Sequence, residues 1–470
     1  MVWSGRPLGN WLDALTVRHP TTTLLGGLSQ LAEVWRVSCT GRRLIGGWKG
    51  ANGSTIWFMA TYDKGKRALI VGLGISGIST AVRLRSIGWE PVIVERAPAR
   101  RGGGYFLGVF GAGQDAARRL GILDAIPDRV PTDTTTFVVN RTGGKRRGMG
   151  FTDFPGRLRC MLRGDVERGA FSALPDDVEI RYSTSPTRIE QDDDGVDVTL
   201  ERNGAAGTER FDLVVGADGV RSTVRRLAFG PHSQFLHPLG YLIGACLLPH
   251  PIAGMGPNEG AILLEPGRSL WVFPIKDHPP TAFFSYRTDD IDREFLGRPI
   301  DRLRAAFGPQ EYGRLLGEAL DVYEAADQPL FDTAEQVRMR KWSTGRVVLI
   351  GDAAWCLTVF SGMGVSSAMA GADVLGTMLQ RHGDRVVPAL QAWEGHLRRP
   401  IESYQRAGID MIPLFTPQTR RQITVRTAFE VGERLPLIGR ALRWISSGEH
   451  AEKDQDIALV RDDDLALVGG

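Results

Sequence analysis

The chain has 470 residues, 42% hydrophobic and 24% charged, ordinary values for a globular protein large enough to hold two domains. The formal net charge is +3, but residues 1–67 hold 9 Lys+Arg and 3 Asp+Glu, leaving 48 basic and 51 acidic residues in the remainder. The body therefore lacks the basic excess of a nucleic-acid binder, and no run of 18 apolar residues offers stable membrane insertion.

Cys39, Cys160, Cys246 and Cys356 lie far apart and form no C-x-x-C pair, which reads as free buried thiols in a reducing cytoplasm. The first residues also lack the basic, apolar and small-residue order of a secretory signal. Residues 1–58 carry five of the eleven tryptophans amid Gly, Arg and Thr, with no steady helical or strand period. Because a strand begins soon after Met59, the expectation is that Met59 is the natural start. Residues 1–58 are then upstream read-through, with a targeting arm as the alternative.

The organising stretch is Ala68-Leu69-Ile70-Val71-Gly72-Leu73-Gly74-Ile75-Ser76-Gly77: a buried strand, a Gly-x-Gly-x-x-Gly turn, and the start of a helix. Gly72 permits the sharp exit from the strand, Gly74 lets the backbone approach a pyrophosphate, and Gly77 lets the helix lie close to the sheet. The helix N-terminus offers free N–H groups and a positive dipole end. A second strand over 91–94 ends at Glu95, where an acid can accept hydrogen bonds from ribose hydroxyls. Arg96 ends that strand. Residues 100–104, Arg-Arg-Gly-Gly-Gly, are either a solvated turn or a phosphate contact.

A helix is expected over 112–126 and a hairpin over 132–140 and 147–154, around Gly143-Gly144. A helix starts at Arg163, followed by strands at 178–182, 186–191, 196–201 and 211–215. Residues 240–247, 260–264, 270–274 and 281–286 are strand-like, and 300–307 and 312–320 helical, so an antiparallel sheet packs beside the nucleotide fold. A buried strand over 346–350 leads into Gly351-Asp352 and a long helix over 364–379. Residues 388–470 are helical until a charged tail.

Two later strand ends carry chemistry. Gly216-Ala217-Asp218-Gly219 is a tight turn before a helix that Ser222 can cap. It suits phosphate or ribose contact, or an ordinary strand-turn-helix. At Gly351-Asp352-Ala353-Ala354 the carboxylate can accept from sugar-like hydroxyls or cap the next segment. Ser361-Gly362-Met363-Gly364 then opens a helix with free N–H groups. His237, His250 and His278 lie in the sheet region and read as surface or packing residues. No metal site is expected.

Together the Gly72–Gly77 turn with Glu95-Arg96, the stretch Gly216-Ala217-Asp218-Gly219-x-x-Ser222-x-x-Arg225, and Gly351-Asp352-Ala353-Ala354 resemble the para-hydroxybenzoate hydroxylase (aromatic-ring hydroxylase) family of FAD-dependent monooxygenases. The resemblance covers about residues 66–400. It implies an α/β fold: a Rossmann-like FAD-binding domain of glutathione-reductase type, an interleaved antiparallel-sheet substrate domain and a helical C-terminal region. The implied division is an N-terminal extension (1–58), FAD-binding parts at 66–131, 158–230 and 331–395, a substrate hairpin at 132–157, a substrate-binding sheet at 231–330, and a helical C-terminal region and tail at 396–470.

By position, the resemblance implies that Gly72, Gly74 and Gly77 line the FAD pyrophosphate and that Glu95 holds the adenosine ribose, with Arg96 beside it. Arg163 lies against FAD, Asp218 and Gly219 belong to a stretch associated with FAD and NADPH, and Asp352 binds the ribityl chain. Gly362, Gly364 and Val365 face the flavin pyrimidine. NADPH or NADH reduces FAD, O2 adds at flavin C4a, and the hydroperoxide hydroxylates an aromatic or polyketide-like small molecule. A monomer or homodimer would suffice, and no catalytic side chain is named. The chain departs from the family at Trp355, Thr358 and Val359, where His and Pro are usual. A flavin-dependent halogenase, an isoprenoid reductase and a non-catalytic flavin-binding protein are the competing readings; Trp271-Val272-Phe273-Pro274-Ile275 lacks the halogenase pattern Trp-x-Trp-x-Ile-Pro.

Overall fold

A computed structural model describes residues 65–100, 104–153, 156–383, 385–432 and 453–460, together with the backbone of three strands between 34 and 61. The chain divides into two units, Met1–Gly65 and Lys66–Gly470. In the first, Val34–Thr40, Arg43–Lys49 and Thr55–Thr61 form an antiparallel meander, with Met59 paired to Ile45. The sequence reading found no strand period here. Gly46-Gly47 interrupts the alternation, and the turn-forming run Gly50-Ala51-Asn52-Gly53-Ser54 was the available signal. The expectations for residues 1–33 lie outside the described residues.

The second unit is built on a six-stranded sheet in the order Glu179–Arg181, Glu90–Val94, Arg67–Val71, Leu213–Gly216, Val347–Leu349, Ser343–Thr344. The first five run parallel and the last is antiparallel. Successive residues Ala68, Leu69 and Ile70 are all fully buried, which is why these strands read as apolar runs rather than alternations. The helices Ile75–Ser86 and Gly111–Arg119 pack on the long helix Gly364–His382.

Local chemistry moved several boundaries. The strand expected over 211–215 breaks at Asp212, whose carboxylate accepts from the Arg67 backbone N–H at 2.8 Å. Before the break, Ala205–Phe211 joins Thr184–Gln191 and Val196–Arg202 in a three-stranded antiparallel sheet that the sequence reading gave only two strands. The overlooked signal is Asn203-Gly204, with φ of 52° and 80°, a hairpin turn that favours those two residues. The helix expected over 112–126 stops at Arg119, because Gly121 takes φ 70°; a single 3-10 turn, Leu123–Ala125, follows.

A seven-stranded sheet runs Leu330–Val337, Leu236–Leu247, His278–Arg287, Arg268–Ile275, Glu259–Glu265, Thr135–Val139, Lys145–Arg147. It is antiparallel except where Glu259–Glu265 meets Thr135–Val139 in parallel. Leu330–Val337 was not foreseen, since Leu-Phe-Asp-Thr-Ala-Glu-Gln-Val lacks an apolar alternation. Side-chain alternation sorts the sheet into two faces. Leu242, Leu270, Ala282 and Phe284 pack with the helices Pro299–Phe307 and Gly313–Ala325. Tyr241, Ile243, Trp271, Phe273 and Phe283 form the opposite face, together with Phe360, Ile412 and Phe415. The C-terminal region is helical through Val386–Asp410 and Arg420–Gly432. Among the described residues no helix is long and apolar enough to cross a membrane.

Candidate functional site

Three adjacent parallel strands, Arg67–Val71, Leu213–Gly216 and Val347–Leu349, each end in one of the three motifs. Ligands of open α/β sheets gather outside the carboxyl ends of such strands. At the first end, Gly72 takes φ 107°, and a Cβ there would lie 2.5 Å from the Ala217 carbonyl oxygen. A Cβ on Gly77 would lie 2.0 Å from the Gly72 carbonyl oxygen. Both glycines are therefore required by close backbone approach. Gly74 differs: nothing lies within 4 Å of its Cβ position, so its bare backbone borders open space at the helix start.

Glu95 ends the neighbouring strand and is more than an exposed acid. Its Oε2 accepts from the Leu73 N–H at 3.0 Å and its Oε1 from the Ala97 N–H at 2.8 Å. The carboxylate thus fixes the glycine turn against the second strand, with lone pairs on each oxygen still available.

At the second strand end, Asp218 turns back on its own helix, Thr223–Ala228. It accepts from the Thr223 N–H at 2.6 Å, the Val224 N–H at 3.1 Å and the Ser222 hydroxyl. Burial raises the Asp218 carboxyl above its ordinary value, and these hydrogen bonds oppose the shift. Ser222 caps the helix as its position suggested, its Oγ accepting from the Arg225 N–H at 3.0 Å. Gly219, at φ 80°, has nothing within 4 Å of its Cβ position.

At the third end, Gly351 takes φ 62°, and a Cβ there would lie 2.1 Å from Ser76 Oγ. That contact seats Asp352 beside the start of the first helix. Asp352 is surrounded by protein, yet its side chain is open to solvent. Burial raises its carboxyl above the ordinary value, and Arg163 pulls it down. Gly362 takes the left-handed region at φ 66°, and Gly364, which begins the helix Gly364–His382, again has open space at its Cβ position. Val365 follows in the first turn, half-buried.

Trp355, at the position where the resemblance implied histidine, belongs to the buried core. It is 1% exposed and stacks within a cage of Trp342 and Trp393, ring centroids 4.7 and 5.7 Å away. Its Nε1 donates to Ser367 Oγ at 3.2 Å. Thr358 takes φ 74°, a strained conformation for a β-branched residue, and its buried Oγ1 has no partner. Val359 is partly exposed.

A cavity of about 200 Å³ lies at the first two strand ends. It brings together Gly72, Gly74, Glu95, Arg96, Arg163, Asp218 and Gly219. Gly77 is outside the lining, holding the helix to the turn, and Asp352, Gly362, Gly364 and Val365 are also outside it. Arg163 connects the two groups: it lines the cavity, pairs with Glu167 at 3.0 Å, and acts electrostatically on Asp352 and Tyr105. Of the loop over 100–104, residues 101–103 lie outside the described residues, but Arg100 lines the cavity and stacks on Phe171 at 3.9 Å.

Sequence reasoning missed Arg221 and the trio Thr184, Ser185 and Pro186, all in the lining. Arg221 also bridges Asp332 at 3.1 Å and Glu335 at 3.2 Å on the large sheet. The trio follows the edge strand Glu179–Arg181, so the strand-end rule applied to every parallel strand would have found it.

Open glycines at helix starts, guanidinium groups and strand-end carboxylates are the chemistry that suits a dinucleotide. The chain belongs to the FAD binding domain family, whose model matches residues 66–384. It is 30% identical over 366 residues to an uncharacterized protein of Mycobacterium tuberculosis, covering 74% of this chain and 94% of the relative. It is 27% identical over 358 residues to a flavin-dependent monooxygenase of Legionella longbeachae, covering 74% and 89%. The crystal structure of the tetracycline destructase Tet(55) shares the fold, with a TM-score of 0.66 at 24% identity over 81% of this chain and 97% of that one.

Proposed function

We propose that the protein is an FAD-dependent monooxygenase that uses NADPH or NADH and O2 to hydroxylate an aromatic or polyketide-like small molecule, as the para-hydroxybenzoate hydroxylase family does. The observation that carries this reading is the convergence of three motifs on the carboxyl ends of three adjacent parallel strands. The fit to FAD rests on the cradle itself: Gly74, Gly219 and Gly364 border open space that any side chain would fill.

In this reading the segments 66–131, 158–230 and 331–395 hold the cofactor, while 132–157 and 231–330 hold the substrate. Gly72 and Gly77 shape the first turn, and Gly74 presents bare backbone to the pyrophosphate. Glu95 accepts from the adenosine ribose through its remaining lone pairs, and Arg96 and Arg163 supply positive charge. Gly219 gives close approach while Asp218 keeps its turn rigid. Asp352 accepts from the ribityl hydroxyls. Gly362, Gly364 and Val365 set the positive end of a helix against the pyrimidine edge, where it stabilises negative charge. FAD, when bound, supplies the redox and oxygen-activating chemistry; the protein positions it and excludes water.

The test is to purify the protein with FAD and follow NADPH and NADH oxidation under air. Oxidation that requires O2, is stimulated by an aromatic or polyketide compound, and yields a product carrying one added oxygen supports the reading. Bound oxidised FAD with no NAD(P)H consumption for any compound tried would instead favour a non-catalytic flavin protein.

A further inference from the structure

The face of the seven-stranded sheet that packs with Phe360 and Phe415 is aromatic in a specific way. Trp271 and Phe283 are cross-strand partners, and Trp271 and Phe273 are two apart on one strand, so all three rings share a face. The Phe106 ring, from the strand Phe106–Val109, lies flat on Phe273 at 4.5 Å and 11°. Phe151 meets Phe106 edge-on at 5.0 Å and 87°, and Trp271 extends the stack beyond Phe273 at 5.9 Å and 20°. Beside these rings is a cavity of about 20 Å³, room for a single water. Phe106 is only half-buried, whereas Phe273 and Trp271 belong to the core. The one ring of the stack not anchored in the sheet therefore occupies a flat slot between an aromatic floor and an aromatic edge.

The charge around this slot is equally specific. Among the described residues lining the cavity none is Asp, Glu, Lys or Arg, and its polar side chains include the hydroxyls of Thr136 and Thr152. Burial raises the pKa of the lining thiol, Cys160, keeping it neutral. Among the described residues a guanidinium does touch the wall: Arg426, 4.9 Å from the Trp271 ring centroid. It is buried and committed, with Nε on Glu430 at 2.9 Å, Nη2 on the Met149 carbonyl at 3.3 Å, and Nη1 on the Leu414 carbonyl. A carboxylate brought into the slot would lose its water and meet no free counter-charge among the described lining residues.

We infer that Phe106 holds the seat of a planar ligand ring, and that the aromatic group this seat accepts is uncharged, carrying hydroxyl or carbonyl oxygens for the threonines. Resting on the monooxygenase reading, this assigns the substrate class as neutral aromatic rather than aromatic acid. The ligand ring replaces Phe106 on Phe273 in the offset-stacked geometry that aromatic pairs favour.

The experiment is calorimetric titration of the FAD-loaded full-length protein with 2,7-dihydroxynaphthalene and with 6-hydroxy-2-naphthoate, in wild type, Phe106→Ala, Phe106→Leu and Phe273→Ala. The neutral probe should bind at least tenfold tighter than the carboxylate. Emptying the seat should tighten the neutral probe severalfold in Phe106→Ala and in the more conservative Phe106→Leu, while Phe273→Ala, which removes the stacking floor, should weaken the neutral probe tenfold or more. Equal or tighter binding of the carboxylate, no binding of either probe, or no gain in either Phe106 variant would overturn the proposal. Because binding is read without turnover, a protein that binds the neutral probe yet never consumes NAD(P)H would defeat the monooxygenase reading and leave this one standing.

Discussion

Arg225 donates through Nη1 to the carbonyl oxygen of Ala353 at 2.8 Å, joining the turn after one parallel strand to the turn after its neighbour. The side chain is fully buried, and its Nη2 also donates to the Val220 carbonyl and meets His232 Nδ1 at 3.1 Å. Burial lowers the Arg225 pKa, with Asp218 among the charges that hold it up. Removing the guanidinium leaves two carbonyl oxygens unsatisfied, at about 1–3 kcal/mol each. Arg225→Ala should therefore lose about 3 kcal/mol or more in urea unfolding and retain less FAD. Stability and retention equal to wild type would show that the two turns are held by something else.

The glycines of the first turn separate packing from ligand approach. Gly77→Ala forces a Cβ into the Gly72 carbonyl and should yield little folded protein. Gly74→Ala meets nothing in the ligand-free molecule, so its melting temperature should stay within a degree or two of wild type. Its FAD affinity should nevertheless fall by tenfold or more, because the methyl projects into the cradle. Unchanged affinity in Gly74→Ala would remove the pyrophosphate from this turn.

Asp352 carries a pH signature. Its carboxyl is raised above the ordinary 3.8 by burial, with Arg163 opposing. The folded state therefore holds this proton more tightly than the unfolded chain. Its stabilising effect is fully present below 3.8 and is lost as pH rises through the folded-state value. Asparagine does not titrate. Ligand-free Asp352→Asn should melt above wild type at neutral pH, by a margin that shrinks as pH falls to about 4. With FAD present the order should reverse, because the acceptor for the ribityl hydroxyls is weakened. A margin independent of pH would contradict this assignment.

Trp355→His restores the residue usual in the family, and the structure gives it a cost. Trp355 fills a cage with Trp342 and Trp393, and a Cβ on Gly371 would already lie 2.9 Å from its ring. The variant should lose about 3 kcal/mol of stability, as large-to-small core changes do. Unaltered stability would mean that the side chain is not packed as described.

Much of this was legible in the sequence. Gly72–Gly77, Asp218 and Asp352 each sit where an apolar run stops at a glycine, and a buried parallel strand writes that pattern plainly. Glu95 was legible as an acid at a strand end, but its two backbone hydrogen bonds depend on how the next turn folds back. Arg225 was visible as part of a motif, whereas its bond to Ala353 spans 128 residues and follows only from strand order. Leu330–Val337 was hidden because its polar residues sit at an interface, where Glu335 meets Arg221 and the Glu335 carbonyl accepts from the Cys356 thiol. Trp355 could be seen to differ from the family, but only packing reveals which way it faces.

The most direct measurement is an equilibrium titration of the ligand-free protein with FAD, followed by flavin absorbance and fluorescence, in wild type and Gly74→Ala. Wild type should form a yellow 1:1 complex whose extracted cofactor is FAD, and the variant should bind at least tenfold more weakly at unchanged folded stability. A folded wild-type protein that stays colourless in excess FAD would contradict it.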